Sequence, residues 1–237
     1  MVKNILAICL FAITGSLVMT NAAENKTIEN KNIMENLTLT NEWDKTFPKS
    51  DKVDHSKVTF VNRYGITLAA DMYKPKGTTG KLAAIAVCGP FGAVKEQAAG
   101  LYAQEMAERG FMTIAFDPSF TGESGGTPRY MTSPDINTED FSAAVDFLVT
   151  NPDVDPEKVG IIGICGWGGI AINAAAPDPR IKATLASTMY DMSRVNANGY
   201  FDADDSAEAR NALREKLAAQ RNEDYVNGCL LYTSPSP

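Results

Sequence analysis

The stretch "IIGICGWGGIA", residues 161–171, decides the reading of this chain. Ile161, Ile162 and Ile164 are β-branched and favour a strand, and Cys165 follows them directly. Glycines at 163, 166, 168 and 169 surround the thiol. That spacing predicts a sharp strand-to-helix bend, because glycine turns freely and lets a helix press close to a strand. A strained bend of this kind holds a reactive side chain clear of the sheet. The helix N-terminus behind it favours negative charge, and so a thiolate. Cys165 is therefore the candidate nucleophile. The N–H of Gly166, next in the chain, is a candidate oxyanion donor.

Around this stretch the pattern alternates. "LAAIAVC" (82–88), "FMTIAF" (111–116), "KVGIIGI" (158–164) and "IKATLAST" (181–188) read as strands, the first a nearly continuous apolar run of the kind buried on both faces. Between them, Ala98, Leu101, Tyr102 and Met106 fall on one helical face that stops at Gly110. Phe141, Ala144, Val145 and Leu148 mark a second face, with Asn137 or Thr138 as cap, and "GGIAINAAA" (168–176) is a short third helix. Strand, helix and strand repeat, which predicts an α/β fold with a mostly parallel, doubly wound sheet. "KVTFVNR" and "ITLAADMY" flank Tyr64-Gly65 as a hairpin ahead of it. A charged helix near Ser206–Gln220, with Ala209, Leu213 and Leu217 as its apolar stripe, closes the pattern.

In such a sheet, chemistry gathers at the carboxyl ends of the strands. The loop after "LAAIAVC" reads Gly89-Pro90-Phe91-Gly92-Ala93, and the N–H of Phe91 is the expected second oxyanion donor. Asp117, at the end of its strand, is read as a cap or brace for the loop "TGESGGTP"; Lys95 and Glu96 are read as an ion pair or cap, with support of the neighbouring oxyanion loop the alternative, and Arg129 as a solvated loop arginine or a binder of an acidic substrate group. Asp191 is either a helix cap or a substitute catalytic acid. His55 is the chain's one histidine and is read as a surface or packing residue ahead of the first strand.

The bulk numbers exclude some classes. The chain has 237 residues, a formal charge of −7 and a pI near 4.8, which argues against nucleic acid or an anionic membrane surface as partner. Lys3, the apolar run Ile5–Met19 and small Ala22 and Ala23 read as a signal peptide (1–23), so export to a periplasm or beyond is expected. A polar leader (24–56) follows. Of four cysteines, Cys9 falls in the signal and Cys229 in an unpatterned ending, leaving Cys88 and Cys165. These make neither a disulfide framework nor a zinc site. No metal and no cofactor is implied.

The order "CGPFGAVKEQ" (88–97), "AFDPSFTGESGG" (115–126), "GICGWGG" (163–169), "STMYDM" (187–192) resembles the α/β-hydrolase superfamily, most nearly its bacterial dienelactone-hydrolase-like branch. The resemblance runs from about Lys57 to Tyr200 and implies eight strands and a nucleophile–acid–His triad acting on small-molecule esters or acyl compounds. It departs in three places. Trp167 stands where the usual elbow has its last glycine, Gly89 stands where dienelactone hydrolases carry an acid, and no histidine follows the last strand. The superfamily also places the strands of Cys88 and Cys165 side by side, which would allow a disulfide between them. Residues 201–228 are read as a helical insertion or cap fragment and "CLLYTSPSP" (229–237) as a non-native tail, so the chain reads as an incomplete copy. Two readings stand: an exported Cys hydrolase of carboxylic esters, thioesters or lactones lacking its His, or a non-catalytic binding or redox-responsive domain.

Overall fold

A computed structural model describes residues 35–228. The expected signal peptide, Cys9, Cys229 and the tail lie outside the described residues. Among the described residues the chain forms β1 (Val53–Val61), β2 (Thr67–Pro75), β3 (Leu82–Cys88), α1 (Ala98–Glu108), β4 (Met112–Phe116), α2 (Pro134–Thr150), β5 (Val154–Ile164), α3 (Gly166–Ala175), β6 (Ile181–Ser187), α4 (Met192–Asn198), a 3₁₀ turn (Tyr200–Asp202) and α5 (Ala207–Asn227). The six strands make one sheet in the order β1-β2-β4-β3-β5-β6. Strands β4, β3, β5 and β6 run parallel, and the β1–β2 hairpin joins them antiparallel. The α/β expectation holds.

Parallel strands need crossovers, and the crossover helices cover both faces of the sheet. Phe141, Val145 and Leu148 of α2 and Ile170 and Ala171 of α3 pack on one face with Ala86, Cys88 and Ile161. Ala99, Ala103 and Ala107 of α1 pack on the other with Val87, Ile162 and Ile164. The chain leaves β3 toward one face and β5 toward the other. Their carboxyl ends therefore border a crevice where the strand order reverses, the usual ligand position in open α/β sheets. Cys88 and Cys165 end these two strands.

Several local expectations are corrected. α1 buries its alanines rather than the face marked by Leu101 and Tyr102, which are 40% and 37% exposed. Small side chains at i, i+4 and i+8 let the helix lie close on the sheet, and the larger ones turn outward. α2 starts earlier than expected: Ser133 is its N-cap and Pro134 its first residue, and the Asn137 side chain accepts from the Ser133 N–H at 2.9 Å. β1 begins at Val53, inside the expected leader, so His55 lies within the sheet and not ahead of it. Phe47, also in that leader, is buried against α1, and Thr46 N–H donates to the Glu96 carbonyl at 3.0 Å. None of the described helices is long and apolar enough to cross a membrane.

Candidate active site

Cys165 stands between β5 and α3 with φ 59° and ψ −129°, a conformation costly for any residue with a Cβ. Three hydrogen bonds fix the bend. The Cys165 N–H donates to the Ser187 carbonyl at 2.8 Å, and its own carbonyl accepts from Gly168 at 3.0 Å and Tyr190 at 3.4 Å. The surrounding glycines are needed for space. A Cβ on Gly163 would run into the Trp167 carbonyl oxygen and come within 2.8 Å of the Ala171 Cβ. One on Gly166 would enter the Phe91 ring, and one on Gly168 would meet Met189 at 3.0 Å. Gly169 is looser, with its nearest neighbour at 3.7 Å.

The structure brings Phe91 to the same place. The turn Pro90–Ala93 is closed by Ala93 N–H donating to the Pro90 carbonyl at 3.2 Å, with Gly92 at φ 73°. The ring of Phe91 lies over Gly166 and 5.8 Å from the Trp167 ring. Gly166 is the first residue of α3, so its N–H has no acceptor within the helix. Trp167, which replaces a glycine of the common pattern, is 2% exposed and packs 6.0 Å from Phe141. It serves as a core residue beneath the bend.

Other candidates are placed elsewhere. Asp191 is the N-cap of α4: its carboxylate accepts from the Arg194 N–H at 3.0 Å and the Ser193 hydroxyl at 2.6 Å. Both bonds serve the first turn of α4, as in a helix cap. His55 hydrogen-bonds the buried carboxylate of Asp71 at 2.8 Å, with Trp43 and Tyr73 against its ring. It is four strand positions from β5, ~19 Å at ~4.8 Å per strand, so it cannot reach the Cys165 thiol. Both thiols among the described residues are free, and they face opposite cores. Cys88 is buried with α2 and α3, while Cys165 packs toward the α1 side. The disulfide raised by strand adjacency is absent for that reason. Burial pushes the Cys88 thiol pKa well up, as do the carboxylates of Asp140 and Asp117.

The loop after β4 is held by an ionic brace. Asp117 accepts from the Lys95 N–H and ammonium, both at 2.8 Å, and from the Glu123 N–H at 2.9 Å. Lys95 also pairs with Glu96 at 2.5 Å and Glu123 at 2.7 Å. Burial would lower the Lys95 pKa, but Asp117, Glu123 and Glu96 outweigh it and raise it. Arg129 donates to the carbonyls of Gly122 and Ser124 and so braces the loop. Asp44, Glu96 and Glu123 bring carboxylate oxygens within 4.8 Å of one another, a metal-like grouping. The Lys57 ammonium already sits 3.9, 3.7 and 2.5 Å from them, where a cation would go.

The sequence pattern did not mark the residues gathered around the bend. Tyr102 and Ser187 share a hydroxyl hydrogen bond of 3.2 Å beside the strand end, and Met189, Tyr190 and Met192 line the bend. "STMYDM" signalled them only as a loop after a strand. An apolar groove of about 460 Å³, lined by Ile85, Met106, Phe111, Ile162 and Leu185, lies toward the amino ends of the strands and contains no thiol.

A model of the X-Pro dipeptidyl-peptidase (S15) family matches residues 64–229. The chain belongs to this family. Its sequence is 57% identical, over 98% of this chain, to the uncharacterized protein PA2218 of Pseudomonas aeruginosa, and covers 62% of that protein. The S15-family chain therefore spans less than two thirds of that relative's length. The crystal structure of PA2218 superposes with a TM-score of 0.80 at 63% identity, over 82% of this chain and 61% of that one. Thiohydrolase aneE of Aspergillus aculeatus is 31% identical over 58% of this chain and 42% of its own. The α/β hydrolase GrgF from Penicillium sp. sh18, at a TM-score of 0.62 and 23% identity over 74% of this chain and 56% of that one, shares the fold. The S15-family chain thus shares the α/β-hydrolase fold.

Proposed function

We propose that this chain carries the acyl-accepting site of an exported hydrolase of carboxylic esters, thioesters or lactones. One observation carries the reading: Cys165 is held at φ 59° on the β5–α3 bend, with Phe91 packed over Gly166 beside it. The thiolate of Cys165 attacks the substrate carbonyl carbon and forms an S–C bond. The carbonyl oxygen takes the negative charge, and the N–H groups of Phe91 and Gly166 stabilise it. The charge then returns, the bond to the leaving group breaks, and an alkoxide, phenolate or thiolate departs from S-acyl Cys165. The name of the thiohydrolase relative supports the thioester class.

Release of the acyl group requires a water deprotonated by a base. His55, the only histidine of the chain, is bonded to Asp71 at the far edge of the sheet. Acylation needs that base less, since a cysteine is already a few per cent thiolate near neutral pH. Deacylation has no such relief. Loss of the catalytic His costs about 10⁶-fold in kcat in a well-studied serine protease.

The test is p-nitrophenyl acetate with the full chain beside Cys165→Ala. The expected result is one equivalent of nitrophenolate per chain and almost no steady state, with neither in the variant. Sustained turnover dependent on Cys165 would show a base within reach and overturn the stalled-deacylation reading. Absence of the burst would remove Cys165 as nucleophile.

A further inference from the structure

The residues that meet at Gly166 and Gly168, directly after Cys165, share one chemistry. At the place a Gly166 Cβ would occupy, the Phe91 ring closes from one side and Met192 Cγ stands at 2.9 Å from the other. Met189 lies 3.0 Å from the corresponding point on Gly168. Tyr190 is tied to the bend through its N–H to the Cys165 carbonyl, and its ring meets Tyr200 edge-on at 6.1 Å. This wall is therefore fixed to the nucleophile's own backbone. It is also open: Met189, Tyr190 and Tyr200 are 47%, 45% and 49% exposed.

The charges nearby are committed elsewhere. Asp191 is turned to the first turn of α4, and Arg194 is paired with Asp202 at 2.8 and 2.5 Å. Phe91, Met189, Tyr190, Met192 and Tyr200 are uncharged, and none offers a cation to a substrate carboxylate.

We propose that this wall is the acyl subsite, and that it selects uncharged, apolar acyl groups of medium length over acetyl and over acyl groups ending in a carboxylate. The inference rests on the acyl-transfer reading of Cys165 and names its substrate class. Each methylene removed from water favours binding by roughly fourfold. Hexanoyl brings four more methylenes than acetyl, and a half-open wall shields part of them. A preference of at least ~10-fold follows.

The experiment measures the first-turnover acylation rate of the full chain with p-nitrophenyl acetate, hexanoate and the glutarate half-ester. Each rate is divided by that of the same ester with a free thiol, which removes intrinsic reactivity. Hexanoate is expected to exceed acetate by at least ~10-fold, with the glutarate half-ester below hexanoate by a similar factor. Met192→Asp should cut the hexanoate-to-acetate ratio by about fivefold or more. The ester series on the unaltered chain decides the matter even where that variant does not fold. Equal rates for acetate and hexanoate, or a fastest reaction with the glutarate half-ester, would overturn the subsite while leaving Cys165 as nucleophile. No acylation by any ester would overturn the reading beneath it.

Discussion

Cys165→Gly should make the protein more stable than Cys165→Ala, the reverse of the usual order. At φ 59° and ψ −129°, a residue with a Cβ stores about 1–3 kcal/mol of backbone strain. Glycine is free of that strain. Against it, glycine adds about 0.4–1 kcal/mol of conformational freedom to the unfolded chain relative to alanine. The balance favours glycine by roughly 1 kcal/mol. Both variants lack the sulfur, so its packing cancels in the comparison. For a chain of this size the difference raises Tm by about 2–4 °C. Thermal and urea unfolding of the two variants side by side measure it. Equal stability, or a less stable glycine variant, would mean that the bend holds no strain and that its shape is not imposed by the surrounding packing. The three hydrogen bonds of the Cys165 backbone, to Ser187, Gly168 and Tyr190, are what hold the conformation against its cost.

Three further outcomes follow from neighbouring residues and from the brace. Gly163→Ala should destabilise by about 3 kcal/mol in urea unfolding, because its Cβ meets the Trp167 carbonyl, which is backbone and cannot step aside. Gly169→Ala, in the same motif but meeting only the Tyr190 carbonyl at an ordinary 3.7 Å contact, should be neutral or stabilising by up to ~1 kcal/mol. Equal losses at both sites would refute the packing account. Burial would raise the Glu123 pKa, but Lys57 and Lys95 hold it at about 2, below the ~4.3 of an unfolded chain. Its contribution is thus complete above pH ~5 and lost as pH falls through about 2, so the stability gap between the unaltered chain and Glu123→Gln should close across that window. A gap that stays constant from neutral pH to acid would show that the ion pairs add nothing.

The sequence by itself determined the strand-to-helix bend at Cys165, because glycine spacing and β-branched runs act through local sterics. It likewise determined the parallel α/β layout, since strand and helix periods are written in the order of apolar residues. The brace of Asp117 and the Lys95–Glu96 pair were legible as local motifs, and the structure has both. Only the tertiary structure decided which face of α1 goes inward, because Ala99, Ala103 and Ala107 win by fitting close to the sheet while Leu101 and Tyr102 carry more apolar surface. It alone showed His55 bonded to Asp71, a pairing set by the β1–β2 register and not by any motif. It alone placed Cys88 and Cys165 toward opposite cores, and brought Met192 and Phe91 together over Gly166. Such contacts join residues far apart in the chain, and no local pattern encodes them; strand order and packing do.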